Sequence, residues 1–77
     1  MNKFDLEFIL NTYNATEKSI RDSLVEFTET LEIVKQEDPS GNLPFDFKIN
    51  LRCDDPTIIF DICGQFGRIK SVKIDEQ

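Results

Sequence analysis

The side chains that carry most enzyme chemistry are scarce in this chain of 77 residues. There is no histidine, which removes the commonest general base, the commonest metal ligand and every Ser/His or Cys/His nucleophile pair. Two cysteines remain, Cys53 and Cys63, and two thiols do not make a zinc site. Cys53 falls at a strand end and Cys63 about two turns into a helix. At 1.5 Å per residue this separates them by roughly 10 Å along the axis, too far to bridge. Cys63 on an apolar helix face reads as a core residue rather than a nucleophile. The stretch GQFG closes a helix where a phosphate loop would open one. Asp54 and Asp55 are adjacent carboxylates, but a cation there would face an electropositive helix start and lack further oxygen ligands. Capping explains them better. Asn14-Ala15-Thr16 matches the glycosylation triplet, and helix capping accounts for Asn14 more simply. The expectation is a non-enzymatic chain with no catalytic residue, no cofactor and no metal.

What remains is association. The net charge is −6 and the sequence pI about 4.4, whereas nucleic-acid binders present basic surfaces to phosphate. Neither nucleic acid nor an anionic membrane is an expected partner. A protein partner is expected, a basic one and a homodimer both being compatible with the charge. Asp22, Glu26 and Glu29 fall on the outer face of a candidate helix and form the candidate partner-binding group, read as an unpaired acidic stripe. The longest apolar run is too short to span a membrane, no signal-peptide pattern opens the chain, and two unpaired thiols suit a reducing compartment, so the cytoplasm is the expected location.

These groups must be held by a small core, which 39% hydrophobic residues and seven phenylalanines can supply within one domain over 1–77. Residues 54–74, DDPTIIFDICGQFGRIKSVKI, are the most legible stretch. Asp55 is an N-cap candidate with Pro56 at the first helical position. Ile58, Ile59, Ile62, Cys63 and Phe66 then recur at helical spacing, despite Gly64. Gly67 is expected to end this helix in the left-handed conformation, at positive φ. A hairpin across GQFG is the lesser alternative.

Residues 3–11 alternate as a half-buried strand, with Phe4, Leu6, Phe8 and Leu10 on one face. Residues 45–53 do the same with Phe45, Phe47, Ile49 and Leu51 inward. Between them Asn14 and Glu17 stand in capping-box relation ahead of an amphipathic helix, whose stripe is Ile20, Leu24, Phe27 and Leu31. Its end has two readings. Either one helix runs on to Gln36, or it stops near Thr28 or Glu29 and 31–37 forms a strand. The turn over 38–42 has type I chemistry. The strand option gives β1 (3–11), α1 (15–29), β2 (31–37), β3 (45–53), α2 (56–66) and β4 (68–75). That order is the split βαβ repeat of an α+β ferredoxin-like sandwich, a four-stranded antiparallel sheet ordered β4-β1-β3-β2 with two helices on one face.

Two resemblances follow. FGRIKSVKI, with Ile59, Ile62 and Phe66 before it, resembles part of an RNA-recognition motif. That family stacks bases on aromatics of the open sheet face, whereas Phe4, Phe8, Phe45 and Phe47 all fall on core faces here, so RNA binding is not implied. The whole-chain element order resembles the ACT-type members of the ferredoxin-like sandwich, regulatory modules that pair through sheets or helices and often bind amino acids. The turn NTYNAT lacks the glycine those modules carry between the first strand and first helix, so no ligand residue carries over. The leading expectation is a small non-catalytic interaction or regulatory domain acting through protein contacts. Small-metabolite binding of ACT type is the alternative.

Overall fold

The computed structural model describes residues 3–36 and 44–77. Strands β1 (Phe4–Thr12), β2 (Thr30–Gln36), β3 (Phe45–Cys53) and β4 (Arg68–Glu76) form one antiparallel sheet in the order β2-β3-β1-β4. Helices α1 (Glu17–Leu24) and α2 (Pro56–Phe66) complete an α+β fold. The strand order, the extent of β3 and the extent of α2 match the expectations above. The reading with one helix to Gln36 and the hairpin across GQFG are both overturned. The turn over 38–42 lies outside the described residues.

Strict alternation sets the layers. Leu6, Phe8 and Leu10 of β1 and Phe47, Ile49, Leu51 and Cys53 of β3 all point to one face and are buried. Ile20 and Leu24 of α1 and Ile59 and Cys63 of α2 close over that face in the same core cluster. Phe8 and Phe60 meet edge-on, with ring centroids 5.6 Å apart, a favoured aromatic geometry. Ile62 and Phe66 are only partly buried against this core, so the innermost residues of α2 are Ile59 and Cys63 rather than all five on its stripe.

Three local expectations are corrected. First, α1 is capped by Thr16, not by Asn14. Thr16 Oγ1 accepts from the Ser19 backbone N–H, and the Thr16 N–H donates to Ser19 Oγ, both at 3.1 Å. The Asn14 and Ala15 N–H groups instead donate to Thr12 Oγ1, at 3.4 and 3.2 Å. A turn built on Thr12 thus consumes residues 13–15 before the helix can begin.

Second, α1 ends at Leu24 and passes into a 3₁₀ turn, Val25–Phe27. The Thr28 hydroxyl donates to the Leu24 carbonyl at 3.2 Å, and the Glu29 N–H leaves for the Arg52 carbonyl at 2.8 Å, joining β3. The helical stripe therefore stops short, and Phe27, expected in the core, is 40% exposed.

Third, Gly67 has φ 172 and ψ −152, an extended backbone and not the left-handed one. Its glycine has another cause. A Cβ there would collide with the Asn11 carbonyl oxygen and lie 3.1 Å from Thr12 Cα. The helix end packs directly on the β1 backbone, and only a residue without a side chain fits.

Strand β4 carries one irregularity. Glu7 pairs with Lys73 and Ile9 with Lys70, so Ser71 and Val72 together oppose Phe8. Ser71 takes φ 58, the left-handed residue that such a bulge uses. With Lys70 and Lys73 beside it, the bulge blunts a nine-residue edge strand against unwanted pairing.

Candidate functional site

The open face of the sheet is a lattice of ion pairs. Asp5 and Arg52 sit directly opposite one another, and the guanidinium grips both carboxylate oxygens, at 2.8 and 3.2 Å. Arg52 holds the Asp5 carboxyl below the usual carboxylate range, and the same contact raises Arg52. Glu7 lies between Lys48 at 3.9 Å and Lys73 at 3.6 Å. Asp46 takes Lys70 at 3.5 Å and the Asn11 side-chain amide at 2.7 Å. These pairs are half exposed, and such pairs shape a surface more than they hold a fold. The charges of these pairs are satisfied within the chain, while Glu32 and the exposed Val34 on β2 share the same face, opposite Asn50 and Lys48.

A different place combines unmet charge with exposed apolar surface. A cleft of about 340 Å³ opens between the 3₁₀ turn, the end of β3 and the start of α2. Glu26 and Phe27 reach it from the turn, Thr28 and Glu29 from the link into β2, and Asp54, Asp55 and Ile58 from the α2 entry. Phe27 and Ile58 are 40% and 37% exposed, an aromatic and an aliphatic surface within one hollow. Lys3 closes one side. Its ammonium lies 2.6 Å from Asp54 Oδ1 and 3.1 Å from Glu29 Oε2, and those two hydrogen bonds, Asp54 first, raise its pKa above the ordinary lysine value.

The four carboxylates of the cleft have different duties. Asp55 is committed to the helix, accepting from the Thr57 N–H at 3.0 Å as N-cap, with Pro56 behind it as expected. Asp54 and Glu29 share Lys3. Glu26 makes no ion pair among the described residues. No group of His, Cys, Asp or Glu able to hold a metal ion occurs among the described residues.

The stripe Asp22, Glu26 and Glu29 is divided by this geometry. Glu26 and Glu29 line the cleft. Asp22 stays on α1, paired with Lys18 at 2.8 Å, so it does not join them, and neither it nor Glu29 is unpaired as the stripe reading had it. Asp54, Asp55, Lys3 and Ile58 were not linked to these glutamates by sequence spacing. The pairing of β2 with β3, extended by the Glu29 N–H to Arg52 carbonyl bond, lays the turn beside the end of β3 and brings the two sets together, and Lys3 bridges them.

The thiols are inert. Cys53 and Cys63 are both free and buried; burial raises Cys53 and pushes Cys63 up to about 12. A thiol held protonated is a poor nucleophile. Among the described residues no helix is long and apolar enough to cross a membrane. No protein-family model and no curated protein matches this chain.

Proposed function

We propose that this chain is a non-catalytic protein-contact domain built on a ferredoxin-like sandwich, and that its contact surface is the acid-rimmed cleft between the 3₁₀ turn and α2. One observation carries the reading. Phe27 and Ile58 stand exposed in a single hollow bordered by Glu26, Glu29, Asp54 and Asp55. An apolar centre within a polar rim is the anatomy of a docking site. The acidic rim favours a basic partner and steers it by long-range attraction, which salt screens. The net charge of −6 acts in the same direction. A regulatory role and a cytoplasmic setting are part of this proposal.

The test is capture of interacting proteins by the immobilised domain from source lysate, at low and at high ionic strength, against an Ile58→Asp, Glu26→Lys double variant. A salt-sensitive set of basic proteins lost on the double variant supports the reading. An identical set on both forms places contact elsewhere.

Small-metabolite binding has one observation in its favour. A hollow of about 450 Å³ lies beside the first strand–helix turn, lined by Asn11, Tyr13, Asn14, Phe66, Gly67 and Arg68, and Arg68 could pair with a carboxylate. A thermal-shift screen with free amino acids tests it; a flat response removes it.

A further inference from the structure

The cleft already contains a cation, and that cation belongs to the chain itself. Lys3 precedes β1, and its ammonium reaches across to Asp54 on one side and Glu29 on the other. Its side chain keeps 36% of its surface exposed, and its two acceptors about half of theirs. The contact is therefore wet and exchangeable, the class of pair whose net contribution is small. Beside it lie Glu26, which makes no ion pair among the described residues, and the apolar pair Phe27 and Ile58.

From this arrangement we infer that Lys3 is a resident competitor, occupying the cation position of a docking cleft for a basic amphipathic peptide segment. An incoming lysine or arginine takes the Asp54 and Glu29 oxygens that Lys3 holds, a second cation meets Glu26, and an aliphatic side chain between them covers Phe27 and Ile58. Charge complementarity and the seated ammonium both select a cationic occupant. The two exposed apolar side chains select a peptide over a bare polyamine. Asp55 takes no part, because its carboxylate caps α2. Displacing Lys3 lowers affinity, so the side chain sets a threshold that only a segment with both features passes. The inference rests on the protein-contact reading above and adds to it the chemistry of the partner and the role of Lys3.

The probe is a fluorescently labelled acetyl-Lys-Leu-Lys-Leu-Lys-amide, with its Gln-Leu-Gln-Leu-Gln counterpart and spermine as comparison ligands, titrated at low ionic strength. Four proteins are compared: the unaltered chain, Lys3→Gln, Lys73→Gln and Ile58→Ala, each checked for an unchanged circular-dichroism spectrum. Lys73 lies on the open sheet face beside Glu7, so its loss changes net charge equally without touching the cleft. Lys3→Gln should tighten the cationic peptide about two- to fivefold, the range one exposed ion pair allows. Lys73→Gln should tighten it less, Ile58→Ala should weaken it, and the Gln peptide should not bind. Equal tightening by Lys3→Gln and Lys73→Gln would overturn the role of Lys3 while leaving the acidic docking surface standing. Weaker binding on Lys3→Gln, or spermine as tight as the peptide on every form, also overturns the inference. No binding of the cationic peptide to any of the four removes both the inference and the docking reading of the cleft.

Discussion

The Thr12 hydroxyl donates to the Phe66 carbonyl oxygen at 2.8 Å, joining the last residue of β1 to the last residue of α2 across 54 positions of chain. Thr12 is the buried polar residue among those described, 1% exposed. Its oxygen also accepts from the backbone N–H groups of Asn14 and Ala15. One hydroxyl thereby ends a strand, shapes the turn before α1 and satisfies a carbonyl at a helix end that has no partner within the helix.

Thr12→Val keeps the shape and removes the hydroxyl. It leaves the buried Ala15 N–H and the part-buried Phe66 carbonyl without this partner, so a loss of about 1–3 kcal/mol is expected. Thr12→Ser should recover most of it. Urea denaturation of the three forms is the check, and a valine variant as stable as the parent would show that the junction contributes nothing.

What was legible in the sequence were the elements governed by their own residues. Alternation in FDFKINLRC places all of β3, and Asp55-Pro56 places the start of α2 to the residue. What was not legible were boundaries decided by a distant partner. The start of α1 depends on a hydroxyl that also serves Phe66, and its end depends on a carbonyl of Arg52. The site shares this fate. Glu26 and Glu29 stood out as exposed acids, but that they line one hollow with Asp54 and Ile58 is a consequence of β2 pairing with β3.

Gly67 and Gly64 should respond oppositely to alanine. At Gly67 a Cβ meets the Asn11 carbonyl, a backbone atom that cannot swing aside, so a loss of about 1–3 kcal/mol is expected from overpacking. At Gly64 a Cβ meets nothing within 4 Å, and it lies inside α2. There alanine should stabilise by about 0.4–1 kcal/mol through helix propensity and a less flexible unfolded chain. Thermal melts of both variants decide it; shifts of the same sign would contradict the packing described for the end of α2.

Phe47 and Phe27 separate core from surface. Phe47 is 3% exposed in the middle of the sheet and Phe27 is 40% exposed in the cleft. Phe47→Ala should cost about 3–5 kcal/mol, and Phe27→Ala about 1 kcal/mol or less. Chemical denaturation compares them directly. A Phe27→Ala loss near that of Phe47→Ala would return Phe27 to the core and remove the apolar floor of the cleft.

Cys63 makes stability sensitive to alkali. In the unfolded chain its thiol ionises near 9.0, while burial in the native core pushes it up to about 12. Above pH 9 the unfolded state releases a proton that the folded state keeps, so the unfolded state binds fewer protons and stability falls as pH rises. This contribution is whole below the unfolded value and declines from there to the folded one. For one thiol the slope is about 1.4 kcal/mol per pH unit, and the buried Cys53 thiol shifts in the same direction. Cys63→Ala begins from a lower stability because it opens a cavity, but its decline between pH 9 and pH 11 should be visibly shallower. Urea midpoints measured across that range give both slopes. Parallel declines would mean that the Cys63 thiol ionises in the native state as freely as in water, contrary to its complete burial against the sheet.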